Sequence, residues 1–160
     1  MAKSIELTQG RVAIVDEADW EWLTKWNWYY SSSDYAARDI GPRNDRTTIL
    51  MHRLILNPPS DMETDHINGN ALDNRRSNLR ICSHHQNIMN SRKRKGCSSK
   101  YKGVSWNARL HRWRVQIQID YHNQHLGLFD DEQEAARAYN QAASRYFGEF
   151  ARLNVIEVSP

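Results

Sequence analysis

Between residues 113 and 119 apolar and polar side chains alternate without a break. Trp113, Val115, Ile117 and Ile119 fall on one face, and Arg114, Gln116 and Gln118 on the other. A period of two belongs to a strand with one buried face. Residues 101–106 and 122–129 supply its neighbours. From residue 132 the period changes, with Ala135, Ala138, Tyr139, Ala142 and Tyr146 forming a small-residue helical stripe up to residue 147. Asp131 and Glu134 have the spacing of a capping box, and Gly148 is placed to stop the helix. The pattern predicts a three-stranded antiparallel sheet packed on one helix, with the Arg/Gln face left open.

The first half of the chain is patterned in shorter pieces. Residues 11–15 predict a strand, and Asp16 is placed to cap a short helix through Trp20, Trp22 and Leu23. Trp26, Trp28 and Tyr30 alternate in the strand manner, and residues 35–38 and 47–51 predict further strands joined by the polar loop 41–46. This β-rich stretch holds four of the six tryptophans. With Arg38, Arg43 and Arg46 they read either as a compact core or as a stacking surface for nucleic acid. Residues 52–56 predict one or two helical turns, ended by Asn57-Pro58-Pro59. Residues 83–92 have helical character.

Between these helical pieces lies a dense run of polar chemistry. Residues 64–70 read Thr-Asp-His-Ile-Asn-Gly-Asn, followed by Asp73-Asn74-Arg75-Arg76-Ser77-Asn78-Leu79-Arg80 and then His85-Gln86-Asn87. Gly69 and its Asn and Asp neighbours permit a turn between two short strands. Asp65 and Asn87 are hard oxygen donors of the kind Mg²⁺ prefers. His66 titrates in the range a general base needs. Asn78 can brace that imidazole or its loop. An Asp-His pair alone is an ordinary turn feature; the full spacing is what points to metal-dependent cleavage of a phosphodiester. His52 reads equally as a packing or phosphate-contacting residue and as one that reaches this site.

At these residues the chain resembles the HNH nuclease family, in its phage and intron homing-endonuclease branch. The resemblance runs from about residue 49 to residue 92 and implies a β-hairpin followed by a helix around one metal ion, the ββα-metal arrangement. Carried over by position, it implies Asp65 and Asn87 as metal ligands, His66 as the general base and Asn78 as the structural asparagine of the catalytic set. Asn87 stands where many members have His, which favours Mg²⁺ or Mn²⁺ over metals that prefer imidazole. A shift of the helix register by one turn would put His84 or Asn90 in its place.

Charge segregation extends this picture. Residues 75–119 contain twelve Lys or Arg and no Asp or Glu, whereas the rest of the chain holds ten basic and nineteen acidic residues. Such a block attracts polyanions and predicts salt-dependent nucleic-acid binding. Within it, Arg92-Lys93-Arg94-Lys95 precedes Gly and Ser with no apolar anchor, which predicts a flexible linker along a phosphate backbone. A nuclear-import signal is the competing reading of that run. No apolar stretch approaches the roughly 18 residues of a membrane span, and the first residues lack the apolar core of a secretory signal. With Cys82 and Cys97 as its only cysteines, too few for a disulfide framework or a four-ligand zinc site, the chain reads as a cytoplasmic protein of a bacterial or phage-infected cell.

Tyr101-Lys102-Gly103-Val104, residues 125–130, residues 134–139 and Leu153-Asn154 resemble the plant ethylene-response-factor (Apetala-type) DNA-binding domain. The likeness covers about 101–154 and implies a sheet that docks in the DNA major groove. By position it implies DNA contacts from Lys102, Gly103, Ser105, Asn107, Gln116, Gln118, Asn123 and His125. Arg114 shares the strand face, and Arg109 and Arg112 are expected as phosphate contacts in the hairpin turn. Ser105, Asn107 and Gln118 stand where Arg is usual, so the plant target sequence does not carry over.

The fold expected is α+β: a β-rich N-terminal module (1–48), the nuclease module (49–92), the basic linker (93–100), the sheet domain (101–154) and a tail (155–160). The function expected is a homing-type, metal-dependent endonuclease acting as a monomer on double-stranded DNA, with one Mg²⁺ or Mn²⁺ per site. A DNA-binding regulator with a silent nuclease fold is the alternative.

Overall fold

The computed structural model describes residues 1–93 and 96–157. It divides the chain into two compact units, Met1–Asn87 and Ile88–Pro160. Among the described residues no helix is long and apolar enough to cross a membrane.

The first unit opens with a hairpin of β1 (Ala2–Glu6) and β2 (Val12–Asp16), which leads directly into α1 (Glu17–Leu23). The pattern missed β1, in which only Ile5 is buried. Asp16 sits at the N-cap of α1 but makes no cap hydrogen bond; its Oδ2 accepts the backbone N–H of Arg76 at 2.8 Å instead. A second sheet follows, β3 (Tyr29–Tyr30), β4 (Ala36–Ile40) and β5 (Thr47–Leu50), with β4 central. The alternation at Trp26, Trp28 and Tyr30 therefore yields only a two-residue strand. Trp28 turns into the core and gives its indole N–H to Leu23 O at 2.9 Å. Arg38 lies over Trp26, 4.1 Å from the ring centroid, so this pair is a cation–π contact within the unit.

Next come α2 (Met51–Leu56), ended by Asn57 in the left-handed conformation (φ 44°), and the hairpin of β6 (Glu63–His66) with β7 (Leu79–Cys82). Helix α3 (His84–Met89) closes the motif and is shorter than the expected 83–92.

One hydrophobic core joins β1, β2, α1, β4, α2 and β7. Ile5, Leu7, Ala13, Val15, Leu23, Trp28 and Ala36 share it with Met51, Ile55 and Leu79. Each fully buried side chain of the Leu, Met or Val class stabilises by about 1.5–3 kcal/mol. The expected boundary at residues 48/49 thus cuts through a packed core, because the short β6–β7 hairpin has too little apolar surface to bury alone. Residues 1–48 are the wall on which that hairpin stands.

In the second unit β8 (Val104–Asn107), β9 (Arg112–Ile119) and β10 (His122–Phe129) form an antiparallel sheet with β9 in the middle. Helix α4 (Glu132–Phe147) packs across it. Asp131 Oδ1 accepts from the N–H of Glu134 at 2.8 Å, as the capping spacing predicts, and Gly148 takes a positive φ at the C-cap. Val104, Val115 and Ile117 meet Ala135, Ala136, Tyr139, Ala143 and Phe147 in a second core. Gly103 is essential to that packing. A Cβ there would lie 2.0 Å from the Tyr139 ring, and the residue adopts φ +78°.

The expected linker is partly built into this unit: Lys93 Nζ donates to Val104 O at 3.1 Å, and Ser99 is buried with its Oγ accepting from Tyr101 N. Arg94 and Lys95, expected to contact DNA, lie outside the described residues.

Candidate functional site

The loop between β6 and β7 is tied by its own asparagines. Asn78 Oδ1 accepts from Asn68 N at 3.0 Å, and its Nδ2 donates to Asp73 O at 2.7 Å. Asn68 Nδ2 reaches Asp73 Oδ2, and Arg75 grips the same carboxylate through two hydrogen bonds of 2.7 and 2.6 Å. The far end of the loop is fastened to the first hairpin by Ile14 N to Leu72 O and Asn74 N to Ile14 O. Asn78 therefore braces the loop, the structural half of its expected role, with both ends of its carboxamide engaged there.

A different asparagine meets the imidazole. His66 is buried, and its Nε2 stands 3.4 Å from Asn74 Oδ1. A carboxamide oxygen only accepts, so in this contact the ring proton sits on Nε2 and the lone pair on Nδ1. Burial holds the His66 pKa below its usual value, with Asn74, Asp65 and Asp73 acting in the opposite sense. The ring is neutral at pH 7. Asn74 is fully buried and reads in sequence as one more turn residue; nothing in its spacing separates it from Asn70.

Two further rings enclose His66. His52 meets it edge to face at 4.9 Å between centroids, and Tyr35 lies 4.8 Å from His52 and 5.9 Å from His66. His52 is buried, and its Nδ1 has no hydrogen-bond partner among the described residues. Burial, then the neighbouring His66 and Arg53, push its pKa down to about 3. Of its two readings, the structure places it in the packing beside the site.

Asp65 precedes His66 on β6 and faces Arg80 in register on β7. Arg80 Nε and Nη2 both donate to Asp65 Oδ2, at 2.9 and 2.7 Å, with both side chains largely shielded from solvent. Glu63 lies two residues before Asp65, on the same strand face. Asn87 Nδ2 donates to Glu63 Oε2 at 2.6 Å, and His84 Nδ1 lies 2.8 Å from Glu63 Oε1. The Asn87 bond, then desolvation in the opposite sense and the His84 bond, leave the Glu63 carboxyl below its usual pKa. Thus α3 presents Asn87 toward the β6 face that carries Asp65, while His84 pairs with Glu63.

Among the described residues no group of three or more His, Cys, Asp or Glu converges as a metal cage. The ligands expected from the sequence, Asp65 and Asn87, are one carboxylate and one carboxamide, each already held by a neighbour. That set fits a hard divalent cation completed by substrate phosphate and water, the usual manner of Mg²⁺. Glu63, Arg80 and Asn74 escaped the sequence reading; the register of β6 against β7 is the signal that finds Arg80 opposite Asp65.

In the second unit the register gathers most of the expected DNA contacts on one sheet face. Ser105 pairs with Arg114, Asn107 with Arg112, Gln118 with Asn123, and Gln116 with His125. Partners in register project to the same side. Arg114, Gln118, Asn123 and His125 are exposed, as is Arg109 at the β8–β9 turn. Arg92 is exposed as well.

Three residues are placed otherwise. Lys102 Nζ donates to Met89 O and Ser91 O at 2.6 and 2.7 Å, and burial followed by the nearby Arg152 lowers its pKa to about 8. Gly103 is packed under Tyr139. Arg112 makes a two-bond ion pair with Asp130, each bond 2.7 Å. Packing and pairing within the unit engage these three residues, which a positional transfer cannot foresee.

Comparison with known proteins adds two findings. The family model described as HNH endonuclease matches residues 57–89. An uncharacterised HNH endonuclease of Acanthamoeba polyphaga mimivirus is 31% identical over 156 residues, covering 93% of this chain and 78% of that protein. No solved structure matches.

Proposed function

The chain belongs to the HNH endonuclease family, and from that premise we propose a homing-type enzyme that hydrolyses phosphodiester bonds of double-stranded DNA using Mg²⁺ or Mn²⁺. One observation carries the reading. Neighbouring residues of β6 present a carboxylate and a buried neutral imidazole, Asp65 and His66, with an acceptor oxygen of Asn74 beside the ring and Asn87 tied to the same strand through Glu63.

His66 acts as the general base. Its lowered pKa keeps the imidazole neutral at pH 7, the form a general base needs, and the enclosing Tyr35 and His52 rings hold it in place. Water that loses its proton to His66 attacks the phosphorus in line with the departing 3′ oxygen. Asp65 and Asn87 would hold the divalent cation, one per site, with Arg80 orienting Asp65 through its two hydrogen bonds. When bound, the cation supplies Lewis-acid stabilisation of the charge that develops on the phosphate. Asn78 keeps the loop in the shape that carries His66 and Asn74.

The second unit selects the site. Its three-stranded sheet, with one face covered by α4 and one polar face open, supports the likeness to the plant-type domain. Arg114 suits a guanine edge, and Gln116 and Gln118 suit adenine. Arg109 and the exposed Arg92 contact phosphates. One copy with a single metal site makes nicking the simpler outcome.

A supercoiled-plasmid assay with Mg²⁺ or EDTA, on wild type and His66→Ala, tests the whole reading. Relaxed circles formed only by wild type with Mg²⁺ support it, and linear product indicates cutting of both strands. Salt-sensitive DNA binding with no cleavage of any DNA, the source genome included, would replace it with a silent DNA-binding regulator.

A further inference from the structure

Glu63 has no place in the catalytic set described above, yet it is the group that touches Asn87. A carboxamide has two chemically opposite ends, and only its oxygen can ligate a cation. Rotation by half a turn about the last side-chain torsion exchanges them at little intrinsic cost. An unrestrained asparagine therefore presents a ligand in one orientation and two N–H donors, repelled by a cation, in the other.

The Glu63 carboxylate removes that ambiguity. An ionised carboxylate only accepts, so at 2.6 Å from Glu63 Oε2 the Asn87 end must be the –NH₂ group. The oxygen is then turned away from Glu63. Glu63 itself is fixed from its other side by His84, whose Nδ1 lies 2.8 Å from Oε1. Position on the strand completes the argument. Glu63 and Asp65 are two residues apart on β6, so a hydrogen bond from α3 to Glu63 sets Asn87 alongside the strand face that bears Asp65.

We propose that Glu63 is a positioning residue that selects the metal-ligating orientation of the Asn87 carboxamide, with His84 as its brace. This inference rests on the reading of Asp65 and Asn87 as the cation's ligands. Residues that orient a metal ligand typically change metal affinity by roughly 10–100-fold when removed.

The test is Mn²⁺ binding to the full chain, followed by the electron-paramagnetic signal of free Mn²⁺, with circular dichroism to confirm folding. Glu63→Leu is expected to weaken Mn²⁺ binding about tenfold or more. Glu63→Gln keeps an oxygen for the Asn87 amide and is expected to stay within a few-fold of wild type. Asn87→Asp has two equivalent oxygens and needs no orienting, so in that background Glu63→Leu should cause no loss.

Equal loss in the Gln and Leu variants would assign the effect to charge and overturn the proposal. So would a loss from Glu63→Leu that is as large in the Asn87→Asp background as in the wild-type background, which would make Glu63 a ligand itself. Failure of the metal reading is distinguishable: Asp65→Ala and Asn87→Ala would then bind Mn²⁺ as wild type does, and the role of Glu63 falls with it.

Discussion

The two polar surfaces of this chain are built on opposite principles. Around His66 the polar groups are tied to their neighbours: Asp65 to Arg80, Asn78 to two loop positions, Asn68 to Asp73, Asn74 to the first hairpin. On the sheet of the second unit Arg114, Gln118, Asn123 and His125 stand in register and exposed to water. Bond cleavage needs reacting groups held in one geometry and a shifted pKa, which require desolvation and a rigid surround. Reading a sequence needs side chains that exchange water for base edges, so burial in advance would serve nothing. The contrast predicts that changes at the first surface alter rate with little effect on affinity, and changes at the second do the reverse.

The largest effect tests the first half of that contrast. His66→Ala should lower the cleavage rate about 10³–10⁴-fold, the upper range for loss of a general base, with DNA affinity in Ca²⁺ or EDTA within about twofold. Parallel loss of binding, measured by gel shift, would dissolve the distinction. Gly103→Ala comes next, and it separates the scaffold of the recognition face from the face itself. The added methyl meets Tyr139 at 2.0 Å and a positive φ, which together should destabilise the second unit by about 3 kcal/mol. Hydrogen exchange in β9 should speed up while β6 keeps its protection.

A pH titration sharpens the comparison further, because the deeply buried imidazoles His52 and His66 both lie in the first unit. His52 has a folded pKa of about 3 against 6.5 for the free group. The unfolded chain therefore binds the proton first. Stability is complete above pH 6.5 and is lost as pH falls from there toward 3, by about 2 kcal/mol at pH 5. His66 is shifted in the same direction. Exchange protection in α2 and β6 should fall between about pH 6.5 and 5 by more than protection in α4. His52→Leu, similar in bulk and unable to ionise, should remove most of that slope.

How far the sequence reveals these surfaces depends on the range of the forces that make them. The strands and helix of the second unit were legible because β9 alternates strictly and Asp131 and Glu134 mark the start of α4; the bounds of β10 and α4 coincide with the expected 122–129 and 132–147. Asp65, His66, Asn78 and Asn87 were singled out by spacing within one short segment. Long-range partners were not legible. Nothing local says that Ile14 pairs with Leu72 and Asn74, or that Arg76 takes Asp16 and Asp19. For that reason residues 1–48 looked like a separate module. Lys102 reads as a DNA contact by positional transfer from the plant-type domain; its bonds to Met89 O and Ser91 O depend on packing that no spacing encodes.

The smallest effects divide the proposed recognition face into groups that specify and groups that only attract. Gln116 lies mid-strand opposite His125, where its carboxamide can pair with a base edge. Gln116→Ala should reduce discrimination at one base position by about 1–2 kcal/mol and leave the salt dependence of binding unchanged. Arg109 is exposed at the β8–β9 turn, with its own backbone N–H held by Asn107 Oδ1 at 3.1 Å, so the turn survives loss of the side chain. Arg109→Ala should weaken binding to all sequences alike, by less than about 1 kcal/mol at moderate salt, and lower the slope of log affinity against log salt by about one. Arg112 is the internal control, since Asp130 already neutralises it. Arg112→Ala removes a charge whose field is largely cancelled and should leave the slope nearly unchanged. An Arg112 effect as large as that of Arg109 would mean that Asp130 releases it on DNA and that the face is less preorganised than its exposed, paired geometry implies.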